Sequence, residues 1–277
     1  MQKTLQALYG LKFNPFTPSL PTAALHRSQA VEQFCWRIEH QVGEGGFALV
    51  SGDPGTGKSA ALRILAEHLA AMRDLRIGLL SRPQASLSDF YRELGHLFDA
   101  PISPHNRWAG AKVLRQRWME HIDASLYRPV LLVDEAQEMH PVVLSELRLL
   151  SSAELDSQAI LTVILAGDAR LVAKLQTPDL LPVASRIRTR LRIDYLPPDQ
   201  LRECITHLLK HAGAPKLMTP PLINTLCEHA AGNLRTMTNM ANEMLTLAMH
   251  REIELLDEKL FHETFALEPQ GAKRRRS

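Results

Sequence analysis

The sequence is poor in aromatic residues and has no long apolar run. Phe, Trp and Tyr make up 5% of its 277 residues, which argues against a surface that stacks the bases of single-stranded nucleic acid. No stretch approaches the roughly 20 consecutive apolar residues that a membrane helix needs. The first residues, MQKTLQALYGLKFNPF, are too polar for a secretory signal peptide. We therefore expect a cytoplasmic protein without a membrane segment.

Cysteine is also scarce. The three cysteines, Cys35, Cys204 and Cys227, are widely separated and form no CxxC pair. The twelve histidines show no HxH or HExxH spacing, so the sequence carries no zinc-site pattern. We predict reduced thiols buried in the core. We also expect the tryptophans to be core residues: Trp36, Trp108 and Trp118.

Most of the chain has no excess of one charge. There are 32 Lys and Arg against 30 Asp and Glu, and four of the basic residues stand together at residues 273–276. The rest of the chain has 28 basic and 30 acidic residues. Any DNA contact would therefore come from a local basic patch or from this tail. The alternative for the tail is a solvated, disordered chain end.

The strongest motif lies between a short apolar run and a helical pattern. Residues 47–50 are continuously apolar, as in a strand buried on both faces of a parallel sheet, and residues 59–72 predict a helix. Between them GDPGTGKS matches the G-x-x-x-x-G-K-[ST] pattern, whose glycines let main-chain N–H groups surround a phosphate chain. A chance match in a glycine-rich turn is the alternative, but the flanking strand and helix favour a nucleotide-binding loop.

This loop predicts ATP and Mg²⁺ as cofactors. Lys58 would reach the β- and γ-phosphates, and the Ser59 hydroxyl would ligate Mg²⁺. The positive end of the following helix would add to the attraction. The predicted nucleotide-binding residues of the loop are Gly52, Asp53, Pro54, Gly55, Thr56, Gly57, Lys58, Ser59 and Ala60.

A second motif ends another apolar run. VLLVDE, at residues 130–135, predicts a strand that brings Asp134 and Glu135 to the carboxyl edge of the sheet, where open α/β sheets bind ligands. We expect Asp134 to hold Mg²⁺ and Glu135 to polarise the attacking water. A strand that merely ends at solvated acids is the alternative. The nucleotide loop upstream favours a catalytic pair.

Strand and helix patterns alternate as far as Pro197. Strands predicted at residues 47–50, 77–80, 130–133, 160–165 and 191–195, with helices between them, indicate an α/β fold, a three-layer parallel sheet of the P-loop NTPase kind. Helices alone are predicted afterwards, at residues 199–211, 220–231, 233–250 and 257–265. The predicted parts are an irregular, proline-broken segment near the nucleotide site at 1–25, an α/β core at 26–197, a small helical lid at 198–268 and a disordered basic tail at 269–277.

Three further polar sites are candidates. Asp168 follows an apolar run, where a sensor residue would contact the water or the γ-phosphate; a plain strand-end aspartate is the alternative. Arg186, Arg188 and Arg190 lie before the predicted fifth strand and are candidate arginine fingers for a neighbouring subunit's site. They could instead form a solvated or DNA-facing edge. Arg235, at the start of a lid helix, would close over the γ-phosphate, or it is an ordinary surface arginine.

Together these motifs resemble the AAA+ family. LYGLKFNPF, VDEAQ followed by LRLLS, LAGD and GNLR are similar to the ExeA-like branch and to the ATPases that assist DDE transposases, such as TniB, TnsC and MuB. The resemblance implies a homo-oligomeric ring or filament formed with ATP. It also implies that Phe13, Pro15 and Phe16 lie near the adenine, although they could simply staple the N-terminal segment to the core. The arginine spacing differs from the branch pattern, which leaves the finger open among the three.

Three functions are compatible with this resemblance. A transposition regulator would assemble on duplex DNA with ATP, mark a target, recruit a transposase and be released by hydrolysis. An ExeA-type ATPase would assist assembly of a secretion machine, and members of that type are expected to continue into a membrane span and a wall-binding domain. A nucleotide switch that binds only proteins is the third. The basic tail and the chain's end soon after the lid lead us to expect the first.

Overall fold

The chain forms two compact units. The computed structural model describes residues 2–80, 82–100, 107–124, 127–153 and 158–265, so the predicted basic tail lies outside the described residues. One unit is Arg27–Asp194, and the other combines the described residues up to His26 with those from Tyr195 onward. The first unit holds the sheet, and the second is built from helices.

The sheet has five parallel strands. Including a short antiparallel ladder of two further strands, the strands are β1 (Gly46–Gly52), β2 (Leu75–Leu80), β3 (Arg128–Val133), β4 (Ser152–Ala153), β5 (Gln158–Ala159), β6 (Thr162–Gly167) and β7 (Ile187–Ile193). The strand order of the sheet is β2-β3-β6-β1-β7, and every neighbouring pair is parallel. The predicted parallel α/β sheet of the P-loop type is therefore confirmed.

Helices cover both faces of this sheet. In chain order the helices are α1 (Gln2–Tyr9), α2 (Gln29–Gln41), α3 (Lys58–Ala70), α4 (Leu87–Leu97), α5 (Arg107–Asp123), α6 (Pro141–Ser151), α7 (Ala169–Leu175), α8 (Leu181–Ala184), α9 (Pro198–Ala212), α10 (Pro220–His229), α11 (Leu234–His250) and α12 (Glu258–Phe265). Alternate strand residues such as Leu49, Val133 and Leu165 share one core with helices α4 to α8. Helices α2 and α3 pack on the strands as well, which completes the three layers.

The fifth strand begins earlier than predicted. The sequence predicted a strand at residues 191–195, whereas β7 runs from Ile187 to Ile193. The strand lies at the sheet edge and alternates buried Ile187 and Leu191 with exposed arginines. Such alternation is typical of a strand with one covered face, and it extends over the first half of the strand, which the prediction left out.

The N-terminal segment is not irregular throughout. Residues Gln2–Tyr9 form helix α1, which corrects the prediction of a proline-broken segment, because the first proline occurs only at position 15. Leu5, Leu11 and Phe16 join the core of the helical unit, and the Tyr9 hydroxyl donates to the Ile253 carbonyl at 2.8 Å. The segment packs with the helices that follow residue 195.

Two composition-based expectations have different outcomes. The three cysteines are free and buried, as predicted, and burial raises the pKa of Cys35 to about 11 and that of Cys204 to about 12. Trp118 is fully buried, but Trp36 is 60% exposed, so its assignment to the core is wrong. Within the described ranges, no helix has the length and apolar character needed to cross a bilayer.

Candidate nucleotide site

The glycine-rich loop joins β1 to α3 in the conformation that its sequence requires. Gly55 and Gly57 have φ of +85° and +113°, in the left-handed region that costs side chains energy. A side chain on Gly52 would overlap the Ile193 carbonyl of β7. The Thr56 hydroxyl donates to the Asp53 carbonyl at 2.9 Å and closes the turn from inside.

The loop leaves the start of α3 open to an anion. Gly57 is the N-cap, no side chain caps the helix, and its first turn contains no acidic residue. The first-turn N–H groups and the positive end of the helix dipole are thus available to a phosphate. Lys58 is 5% exposed, and its Nζ donates to the carbonyls of Gly52 and Asp53 at 2.9 and 3.1 Å. A buried ammonium inside a curled loop fits a polyphosphate.

The two predicted carboxylates lie at the carboxyl edge of the sheet. Val133 is level with Leu165 of β6, which is level with Leu49 of β1. Asp134 is therefore two strands, or about 10 Å, from the strand that feeds the loop. Ser59 is exposed on the first turn of α3. One carboxylate and one hydroxyl suit Mg²⁺, which takes its other ligands from water and substrate phosphates.

Glu135 has an unusual backbone. Its φ is +51°, a conformation that is costly for a residue with a side chain and that concentrates at functional sites. Its N–H donates to Asp134 Oδ1 at 2.9 Å, and its side chain is exposed. The chain then turns into a short 3₁₀ helix, Ala136–Glu138.

Gln137, in that 3₁₀ helix, is a site residue that the sequence reasoning did not single out. Its side chain is 5% exposed. Its Nε2 donates to Glu135 Oε2, and its Oε1 accepts from the main-chain N–H of Asp168 at 3.3 Å. The only sequence signal was the glutamine of VDEAQ, two positions after the candidate base.

Asp168 caps helix α7 in this structure. Its Oδ1 accepts from the Arg170 N–H at 2.9 Å, and its Oδ2 pairs with the Arg170 guanidinium at 2.8 Å. The hydrogen bond from Arg170 holds the pKa of Asp168 below its usual value, opposed by burial and assisted by the positive charge of Lys58. The carboxylate is therefore ionised and already paired, and a sensor role for it stays a prediction.

The candidate finger arginines lie away from their own chain's phosphate loop. Ile187 pairs with Phe47, five residues before Gly52, which corresponds to about 17 Å along the strand. Arg186 donates to the Pro182 carbonyl at 2.6 Å, and Arg188 pairs with Glu44 at 2.8 Å. This position is compatible with action on another subunit's site.

The fourth candidate arginine and the aromatic N-terminal residues belong to the helical unit. Arg235 is exposed in the first turn of α11, whose N-cap Asn233 accepts from the Thr236 N–H at 3.1 Å. Phe16 is 3% exposed in the core of that unit, and Phe13 packs against the same core. Contacts with a nucleotide stay predictions for these residues.

A cleft of about 1240 Å³ opens beside Asp134 and Glu135. Its opposite wall is the segment between β2 and α4 together with the first turns of α4. The acidic residues of the lining are Asp89, Glu93, Asp134, Glu135 and Glu138, and the basic ones are Arg82, Arg92 and His96. Arg92 is paired with Asp89 at 3.0 Å. The cleft is therefore net acidic.

Part of the chain matches a known protein family, and most of it is similar to a known protein. Residues 40–175 match the AAA domain family. The chain is 30% identical over 248 residues to general secretion pathway protein A of Aeromonas hydrophila; the match covers 88% of this chain and 44% of that relative, so the chain spans less than half of its length. This relative supports the ExeA-like branch predicted from the sequence.

Solved structures share the fold at low sequence identity. Cdc6p from Pyrobaculum aerophilum has a TM-score of 0.73 at 17% identity, with 90% of this chain and 69% of that chain covered. Drosophila ORC bound to DNA has a TM-score of 0.68 at 18% identity, with 90% and 63% covered. These structures show the fold of the chain, and the loop of Gly52–Ser59 and the acidic pair at the end of β3 lie within the residues that match the AAA domain family.

Proposed function

We propose that the chain hydrolyses ATP with Mg²⁺ and uses the cycle to assemble on duplex DNA and leave it. The observation that carries the hydrolytic part is the meeting of the buried Lys58, the open start of α3 and the Asp134–Glu135 pair at one edge of the sheet. Positive charge faces the phosphates on one side of this site. The exposed carboxylate of Glu135 stands on the other side, where water would attack.

Each residue has a separate task in this proposal. Lys58 gives up its hydrogen bonds to the carbonyls of Gly52 and Asp53 and donates instead to phosphate oxygens, whose negative charge it neutralises. Ser59 and Asp134 would hold Mg²⁺, which supplies charge stabilisation when bound. Glu135 accepts a hydrogen bond from the attacking water and orients it for in-line attack.

Complementary charges at the two edges of the sheet support head-to-tail assembly. β7 forms one edge and β2 the other. The exposed face of β7 carries Arg188, Arg190 and Arg192, whereas the acidic cleft lies on the β2 side. A repeating contact between unlike patches produces rings or filaments, and opposite charges favour this pairing. It would bring arginines of one copy toward Glu135 of the next.

The DNA part is supported by fold and charge. A chain that shares its fold with Drosophila ORC bound to DNA and exposes a row of arginines can contact phosphates once copies align. The finer role, target selection and transposase recruitment by a cytoplasmic regulator, is supported by the sequence resemblance to TniB, TnsC and MuB. The likeness to general secretion pathway protein A favours a second candidate, an ATPase of secretion assembly.

ATP turnover and duplex-DNA binding of three proteins test this proposal. The unmodified chain should hydrolyse ATP and bind DNA with ATP more tightly than with ADP. Lys58→Ala should lose both activities because the phosphates lose their ammonium. Glu135→Gln should bind ATP, keep only a small residual turnover and stay on DNA, since an amide does not polarise water as a carboxylate does. The affinity for DNA should also fall steeply with salt concentration, because each DNA phosphate that the protein neutralises adds about −0.9 to the slope of log affinity against log salt.

The outcomes separate the candidates. Turnover with equal DNA affinity in ATP, ADP and no nucleotide would contradict the coupling to DNA. Turnover with no DNA binding at low salt would leave the secretion ATPase or the protein-binding switch as the better account. Normal turnover by Glu135→Gln would remove Glu135 from its role.

A further inference from the structure

The Gln137 amide joins the catalytic candidate to the neighbouring strand. Both ends of the amide are used: Nε2 donates to Glu135 Oε2, and Oε1 accepts from the Asp168 N–H at the end of β6. The second bond fixes which end of the amide faces Glu135, because an N–H can only be met by the amide oxygen. The amide nitrogen must then point at the carboxylate.

The 3₁₀ turn that carries Gln137 is held from helix α7. Lys174 Nζ donates to the Gln137 carbonyl and to the Met139 carbonyl at 2.9 Å. Arg170 pairs with Glu138 at 3.0 Å. These contacts, from side chains one turn apart on α7, hold the backbone of the 3₁₀ turn around Gln137.

Gly167 provides the room for the amide. A Cβ built on Gly167 would lie 2.5 Å from Gln137 Oε1 and 2.8 Å from Leu171 Cδ2. The amide oxygen therefore occupies space that any other residue at position 167 would fill. The Gln137 side chain therefore lies between the carboxyl ends of β3 and β6.

We infer that Gln137 is a positioning residue for hydrolysis: its amide, anchored on the Asp168 N–H, sets the orientation of the Glu135 carboxylate. The inference rests on the proposed ATPase function. One carboxylate oxygen is engaged by the amide, and the other is left for the attacking water. An exposed glutamate without this bond would sample several rotamers, and each unproductive one lowers turnover without changing nucleotide binding.

The test is Gln137→Met, which keeps the length of an unbranched side chain and removes both hydrogen bonds. Its matched control is Gln41→Met. Gln41 is a second buried glutamine of the same unit, and it bridges the Phe47 carbonyl at 3.1 Å and the Thr189 hydroxyl at 2.6 Å. Both variants lose two side-chain hydrogen bonds, and only the first touches Glu135.

We expect kcat of Gln137→Met to fall by about 10-fold to about 100-fold, because a catalytic group misplaced by about 1 Å costs a factor of that size. The KM for ATP and the Kd of a fluorescent ATP analogue should stay unchanged. Gln41→Met should keep its kcat. A kcat of Gln137→Met equal to that of the unmodified chain would overturn the inference.

A double-mutant cycle separates positioning from a general structural role. If Gln137 acts through Glu135, adding Gln137→Met to Glu135→Gln should not lower the residual turnover further. Additive losses, or equal losses in Gln41→Met, would refute the assignment. The ATPase proposal fails separately, if the unmodified chain has no turnover or if Glu135→Gln does not reduce it.

Discussion

At the scale of single residues, Glu135 and Gly167 are two positions at which the local geometry restricts substitution. Glu135 adopts a left-handed backbone at +51° that bends the chain from β3 into the 3₁₀ turn. Gly167 ends β6 next to that turn and contacts the amide of Gln137. The first residue carries the candidate chemistry, and the second leaves space for its partner.

Gly167→Ala should therefore lower both stability and turnover. The added methyl group would lie 2.5 Å from Gln137 Oε1 and 2.9 Å from Leu171 Cβ, so the amide must be displaced. Overpacking of this kind costs about 1–3 kcal/mol. We expect a lower urea midpoint and a lower kcat, with the affinity for ATP retained.

Gly43→Ala is the control for that substitution. A Cβ at Gly43 would be 3.7 Å from the His40 carbonyl, which is an ordinary contact. This variant should match the unmodified chain in both measurements. A fully active Gly167→Ala would mean that the amide can move without consequence for Glu135.

At the scale of elements, the sequence best predicted the strands, turns and helices that depend on residues close together in the chain. A buried strand, a glycine turn and a helix follow one another in the sequence around Lys58, and the structure has all three. The start of the helix predicted at residues 257–265 depends on local sequence in the same way, because the Asp257 side chain accepts from the Leu260 N–H, three residues further on. Such features depend on neighbours along the chain.

What the sequence could not supply depends on contacts between distant segments. Helix α1 is stabilised by the helical core, through Leu5 and the Tyr9 bond to Ile253, and its own residues gave little indication of it. The pairing of Gln137 with Asp168 spans 31 residues. Packing of this kind sets a site's fine geometry after the local motif has fixed its place.

The junction between the N-terminal segment and α9 should respond to pH. His207 packs against the rings of His26 at 5.5 Å and His211 at 4.2 Å, and its buried Nε2 has no hydrogen-bond partner among the described residues. Burial lowers the pKa of His207, helped by the charges of His211, His26 and Lys210 and opposed by a hydrogen bond to the Leu25 main chain.

The sign of the effect follows from this depressed pKa. Above the ordinary value of about 6.5 the ring is neutral in both states, and its stabilisation is complete. As the pH falls below that value the unfolded chain binds a proton more readily, so stability is lost. The urea concentration at the unfolding midpoint should decrease when the pH is lowered from 7.5 to 5.5. The decrease should be smaller in His207→Gln.

At the scale of the whole molecule, one subunit has an incomplete site in this proposal. Its candidate finger arginines begin β7 at the level of Phe47, about 17 Å along the strand from the phosphate loop. They are placed on the opposite edge of the sheet from the acidic cleft. Full activity would then require a second copy, which supplies an arginine to the Glu135 side of the first.

Mixing two inactive variants tests this dependence. Arg186→Ala subunits keep Glu135, and Glu135→Gln subunits keep Arg186, so a contact between the two can hold both groups. About one quarter of the interfaces in a random equimolar mixture would be complete in this way, because each head-to-tail contact takes one patch from each copy. ATP turnover should rise on mixing, and it should rise more than linearly with the concentration of the unmodified chain.

Repeating the mixture with Arg188→Ala and Arg190→Ala would identify the finger, since only a variant that lacks it is inactive alone and rescued by Glu135→Gln. Arg251→Ala, which breaks a surface pair with Glu263 in the helical unit, should be active alone. Turnover strictly proportional to concentration, with no gain on mixing for any of the three arginines, would show that each subunit hydrolyses ATP by itself.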